Sequence, residues 1–183
     1  MYHSGNQMVD PHILFEKAHI QPGMHVADFG CGQTGHIVFP CAMAVGGRGI
    51  MYAVDILKDV LAQIEERAKS NRLLNIHSVW SDIEKLGHTA IPQKSLDVGF
   101  LVNTLVHATD RMAVLNEVNR LLKDKARLVV VDWMKKGLVF GPKDEQFINF
   151  QDIEGWGKRH GFVVQEVFDV GRFHRGMVLY KHE

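Results

Sequence analysis

Asp28 closes a short apolar run, and Gly30, Gly32 and Gly35 follow it before an apolar segment of helical character begins. The stretch from Met24 to His36 therefore reads as a strand, a tight turn clear of side chains, and a helix start. Glycine has no Cβ and tolerates positive φ, so such a turn lets backbone approach a nucleotide-like ligand closely. A bare Gly-x-Gly-x-x-Gly also describes an ordinary glycine-rich turn; its position and the acids further along must separate the two. Asp55 stands 20 residues after Gly35, at the end of the next apolar run. A carboxylate there can accept both hydroxyls of a ribose, and bonds to an ionised acceptor are roughly twice as strong as neutral ones. Its structural alternative is to cap the following helix. Asp82 ends a third run and can accept the exocyclic amine of an adenine. Ile56 and Ile83, each next to an acid, would then lie on either side of the flat ring. Here the structural alternative is a capping box, Ser81-x-x-Glu84.

These residues need a scaffold that brings the ends of separate runs together. Asp10-Pro11 starts a helix with Ile13, Leu14 and Ala18 on its apolar side, and Pro22-Gly23 turns it into the first strand. Ile37 to Val45 reads as a helix, in which Pro40 is tolerable only in the first turn. Ile50 to Val54 is a strand. Leu57 to Asn71 is an amphipathic helix, with Leu57, Val60, Leu61, Ile64 and Ala68 on one face. Ile76 to Trp80 and Leu96 to Val102 are strands. Asp110 caps a helix with Leu115, Val118 and Leu122 inward, and Arg127 to Val131 is a further apolar strand ending at Asp132-Trp133. Strands apolar on both faces that alternate with amphipathic helices indicate a parallel sheet covered on both sides. After a loop from Gly137 to Phe150, Asp152 opens a helix that closes at Gly161. Phe162 to Phe168 and His174 to Lys181 are then strands too close in sequence for a crossover helix, so they pair as an antiparallel hairpin. The fold expected is α/β: a doubly wound, mostly parallel seven-stranded Rossmann-like sheet ending in that hairpin.

Composition narrows the classes. A chain of 183 residues suits a single domain spanning 1–183, with residues 1–22 as an N-terminal arm and helix that could cover a substrate. Lys plus Arg and Asp plus Glu balance at 21 each, so no overall field draws the chain to nucleic acid or anionic lipid, and no nucleic-acid partner is expected. Cys31 and Cys41 have no zinc or redox spacing. The 11 histidines include no pair four apart on a helix face, so no metal is assigned. No apolar run approaches the ~20 residues of a membrane span, and the polar start is no signal peptide. The expectation is a soluble, cytoplasmic protein, with its oligomeric state open.

Val-Ala-Asp-Phe-Gly-Cys-Gly, then Tyr-Ala-Val-Asp, Ser-Asp-Ile and Leu-Asp-Val-Gly-Phe-Leu-Val-Asn together resemble the class I S-adenosylmethionine-dependent methyltransferases. The likeness is greatest to small members similar to ubiquinone/menaquinone-biosynthesis C-methyltransferases. It covers nearly the whole chain from Pro22, the closing hairpin included. The resemblance implies S-adenosyl-L-methionine as cofactor and methyl transfer to a small-molecule acceptor. It implies Asp28, Gly30 and Gly32 at the methionine end, with Cys31, Gln33 and Gly35 in the same loop. It further implies Asp55 on the ribose, Asp82 and Ile83 on the adenine, with Ile56 flanking the ring, and Asn103 near the sulfonium. The last glycine comes one residue later than in the commonest form, with Gln33-Thr34 intervening.

An activated sulfonium asks the protein mainly to hold the reacting atoms in line and dry. A base is needed only if the acceptor must lose a proton, and His107, just past the fourth strand, is the candidate; a helix-entry histidine is its structural alternative. His174 and Asp132 are weaker candidates. Pro40-Cys41 sits in the first helix after the glycines, away from the place of a cytosine C5-methyltransferase nucleophile. Asn103-Thr104-Leu105-Val106 stands where amino-group methyltransferases carry an Asn/Asp-Pro-Pro-aromatic sequence. Two rival readings are a nicotinamide-dependent oxidoreductase, which shares the glycines and the acid 20 residues on, and a catalytically silent S-adenosylmethionine-binding subunit. Trp133, Phe140, Phe147 and Phe150 could form an aromatic rim around the acceptor.

Overall fold

The structure, a computed structural model, describes residues 8–182; the first seven residues of the expected arm lie outside it. Seven strands, β1 (His25–Phe29), β2 (Ile50–Asp55), β3 (Ile76–Trp80), β4 (Leu96–Val102), β5 (Leu122–Trp133), β6 (Phe162–Val170) and β7 (His174–Lys181), build one sheet. Their order is β3-β2-β1-β4-β5-β7-β6. The first five run parallel, and β7 lies antiparallel between β5 and β6. The expected sheet and closing hairpin are both present.

Helices α1 (Pro11–Ala18), α2 (Val38–Val45) and α3 (Lys58–Ser70) cover one face, and α4 (Arg111–Leu121) and α5 (Phe150–Arg159) the other. Val26, Val98, Phe100, Val129 and Val178 pack toward α1 and α2. Their alternates Ala27, Leu101, Leu128, Val130 and Leu179 pack toward α4 and α5. This two-sided burial is why the strands read as unbroken apolar runs. Asp10 caps α1 by accepting from the His12 N–H, and Asp110 caps α4 by accepting from the Ala113 N–H. Pro40 is the third residue of α2, in the first turn, where its missing N–H has no helical partner to lose.

Several boundaries differ from the sequence reading, β6 among them, which runs past Phe168 to Val170. β1 continues through Asp28 to Phe29. β5 begins at Leu122, because that residue leaves α4 directly into extended backbone and pairs with Leu96 across the sheet. The charged Lys123-Asp124-Lys125 run masks this entry; Lys123 is used in an ion pair with Asp97 at 2.7 Å. α5 starts at Phe150 with Asn149 as cap, accepting from the Gln151 N–H, while Asp152 falls in the first turn, where an acid favours the helix dipole. Among the described residues, no helix is long and apolar enough to cross a membrane.

Candidate active site

Strand order reverses between β1 and β4, and a ligand crevice opens beyond the carboxyl ends of strands at such a point. Two loops meet there closely. The Thr104 hydroxyl donates to the Phe29 carbonyl at 2.7 Å. Gly30 has φ +78°, which favours glycine, and a Cβ on it would stand 3.0 Å from the Thr104 side chain, which would have to give way. Gly30 and Cys31 donate their N–H groups to the Val54 carbonyl, at 2.8 and 3.0 Å, which ties the loop to β2. Asn103 is held at φ +54°, a left-handed conformation that asparagine tolerates better than most residues.

A cleft of about 320 Å³ lies over this junction, lined by Gly30, Asp55, Ile56, Asp82, Ile83, Asn103 and His107 among others. These seven sequence candidates are thus brought together from the ends of four strands. The Asp55 side chain is nearly inaccessible and works in both directions: Oδ2 accepts from the Gly32 N–H at 3.0 Å and Oδ1 from the Leu57 N–H at 3.0 Å. Ile56 is 54% exposed, an apolar side chain left open at the cleft wall. Asp82 accepts from the Glu84 N–H and pairs with Lys85 at 3.1 Å; the Lys85 bond holds its carboxyl below the usual range.

The capping-box alternative does not form, because no helix follows Ser81. Glu84 instead accepts from the Thr109 and Asp110 N–H groups, which clamps the β3 loop against the β4 loop and closes one wall. The sequence names Thr104 beside Asn103 and Glu84 as a capping-box acid, but not the contacts they make, because both act between loops far apart in the chain. Leu57, Ala108 and Val114 also line the cleft and were not singled out as site residues.

Asp28, Cys31, Gly32, Gln33 and Gly35 are not part of the cleft lining. Gly32 acts through its bond to Asp55. Gln33 turns to Gln63 of α3 at 2.8 Å. Gly35 packs so tightly that a Cβ would meet Ile64 and Phe39 at 2.6 Å. Asp28 shares the strand face of Val26, under the α1–α2 layer, and is 2% exposed. Burial, with the Asp55 carboxylate adding to it, pushes its carboxyl up to about 8. Its Oδ2 has no hydrogen-bond partner among the described residues. Burial also raises both thiols, Cys31 and Cys41.

At the other side of the junction, Asp132 accepts from the Val106 and Trp133 N–H groups and fixes the turn that carries His107. Burial raises its carboxyl to about 7. His107 is exposed at the shared edge of the cleft and a neighbouring recess. His174 is fully buried 4.4 Å from the Trp133 ring, and burial lowers it to about 4. Trp133, Phe140 and Phe173 cluster at 5.5 to 6.4 Å, while Phe147 and Phe150 line a separate groove with Trp133.

Residues 20–157 match a family model described as a methyltransferase domain. The chain belongs to the methyltransferase-domain family. Its fold is that of the S-adenosylmethionine-dependent methyltransferase of Aquifex aeolicus, with TM-score 0.83, 24% identity, and 97% of this chain and 92% of that one covered. In sequence, this methyltransferase-family chain is similar to the ubiquinone/menaquinone biosynthesis C-methyltransferase of Vibrio campbellii, 29% identical over 63% of this chain and 43% of that protein. It is likewise similar to the demethylmenaquinone methyltransferase of a Geobacillus species, 25% identical over 68% and 51%. The chain spans about half the length of these curated relatives.

Proposed function

We propose that this chain transfers a methyl group from S-adenosyl-L-methionine to a small-molecule acceptor at the cleft between the β1, β2, β3 and β4 ends. The observation that carries this reading is the convergence there of Gly30, Asp55, Ile56, Asp82 and Ile83. The residues suit the cofactor. A cleft of about 320 Å³ falls in the usual range for small-ligand sites, roughly 300–1,000 Å³. A carboxylate has about four acceptor positions; Asp55 accepts from the Gly32 and Leu57 N–H groups and takes the Cys31 thiol on Oδ2 at 4.0 Å, which leaves capacity on Oδ1 for a ribose hydroxyl. Ile56 and Ile83 supply apolar flanks for a flat base beside Asp82. Asp28, next to the glycine loop but turned under the α1–α2 layer, keeps an Oδ2 that has no hydrogen-bond partner among the described residues.

Bound S-adenosylmethionine would supply a methyl group on a sulfur already activated as a leaving group. The chain's own part is to hold, orient and exclude water, and such positioning can account for up to ~7–11 kcal/mol of barrier reduction in the best cases. Thr104 and Asn103 keep the floor of the cleft rigid, and Glu84 keeps its wall closed. Where the acceptor has an acidic proton, His107 can take it and pass it to solvent, since it faces both. The relatives' names concern C-methylation in quinone biosynthesis; for this chain the acceptor is proposed only as a small molecule.

Isothermal titration with S-adenosylhomocysteine tests the reading. Saturable heat at micromolar ligand is expected, and absence of heat at high micromolar concentration refutes it.

A further inference from the structure

We propose that the groove beside the end of β5 is the acceptor pocket and takes a flat aromatic molecule carrying a negative charge, an inference that rests on the methyl-transfer reading. The groove holds about 510 Å³. Trp133, Phe147 and Phe150 supply aromatic surface, Lys136 and Arg175 positive charge, and Asp144 the single acid in its lining. Cation and ring are presented together: the Lys136 ammonium stands 5.5 Å from the centre of the Phe147 ring. Arg175 meets Asp169 only at 3.4 Å, with both side chains well exposed. A pair of that kind contributes little, so its guanidinium can turn to a ligand carboxylate or phenolate, which it grips in a planar fork. Rings offset against Phe147 or Phe150, with the charge toward Arg175, would satisfy both kinds of surface at once.

The position suits an acceptor. Trp133 directly follows Asp132, whose carboxylate anchors the Val106 N–H and so the turn bearing His107 at the cofactor cleft. The segment from Asp144 to Phe147 borders this groove on one side and the recess beside His107 on the other. Arg111 fastens it there, donating to the carbonyls of Gln146, Phe147 and Leu105 at 2.5, 3.3 and 3.1 Å.

The probes are 2-naphthoate and its neutral shape-match 2-naphthalenemethanol, titrated calorimetrically into the full chain saturated with S-adenosylhomocysteine. Naphthoate is expected to bind at least fivefold more tightly than the alcohol. Arg175→Gln, or Lys136→Gln should the first variant fail to fold, should remove most of that preference, and Phe147→Ala should weaken both probes. Equal binding of the two probes by the native chain, no binding of either at millimolar concentration, or a preference that the charge variants leave unmoved overturns the proposal. Should S-adenosylhomocysteine bind normally while naphthoate fails, the groove assignment alone is wrong. Failure of S-adenosylhomocysteine itself removes the methyl-transfer reading and, with it, the acceptor role.

Discussion

At the residue scale, two acids of the same sheet edge differ because their strands deliver them differently. Asp55 is the last residue of β2 and its carboxylate hangs over the end, where it reaches the Gly32 and Leu57 N–H groups and the cleft. Asp55→Ala should weaken S-adenosylhomocysteine binding by about 1.5–3 kcal/mol, the scale of a hydrogen bond to a charged group, read by calorimetry; unchanged affinity would mean the ribose lies elsewhere. Asp28 is one residue short of its strand end and points into the α1–α2 layer. Its ionisation, near pH 4 in the unfolded chain, moves to about 8 in the folded one. Between those values the folded state binds the extra proton, so stability falls as pH rises. Asp28→Asn removes the titration while keeping the shape. The variant should melt above the native chain at pH 8, with the difference shrinking or reversing by pH 5. Parallel melting curves across that range would contradict the burial argument.

At the scale of elements, Arg111 joins α4 to the loop between β5 and α5, and Glu84 joins the β3 and β4 loops. Arg111→Ala should free the loop from Lys135 to Lys143, and trypsin should cut there several-fold faster than in the native chain. Cofactor with a bound acceptor should slow the same cuts; a rate unaffected by either change would mean that the loop is held by other contacts. Such ties explain what the sequence could and could not convey. The glycine turn and the acid that ends β2 were legible because burial on both faces leaves continuous apolar runs with polar ends; β3 and β6 are partly open, and the hairpin was legible instead from a gap too short for a crossover helix. The start of β5 was not, because Lys123 to Lys125 break the run although Leu122 already pairs with Leu96. Alternation from Val26 puts Asp28 on the same face of β1, so its inward direction was available from strand period, but its apolar flanks read equally well as a strand end. The contacts of Thr104, Glu84 and Arg111 join residues from 6 to 75 positions apart, which no local pattern conveys.

For the whole molecule, the cleft is assembled from loops after four strands, so a ligand that spans it binds only the folded chain. A ligand at 100 times its Kd then adds about 2.7 kcal/mol to stability. For a domain of this size each kcal/mol raises the melting temperature by roughly 2–4 °C, so S-adenosylhomocysteine at that excess should raise it by about 5–10 °C. NADH at the same concentration should leave it within error, because the cleft at the reversal point holds about 320 Å³, the scale of one nucleoside, and β7 and β6 occupy the far edge as an antiparallel pair. The comparison separates the methyltransferase from the oxidoreductase in one measurement. A shift with NADH alone would reverse the assignment, and a shift with neither ligand would leave the cleft without its nucleotide. Repeating the melt with Glu84→Ala locates the coupling: the clamp on Thr109 and Asp110 is lost, so the ligand must organise that wall itself, and the increment from S-adenosylhomocysteine should fall while the unliganded melting temperature moves little.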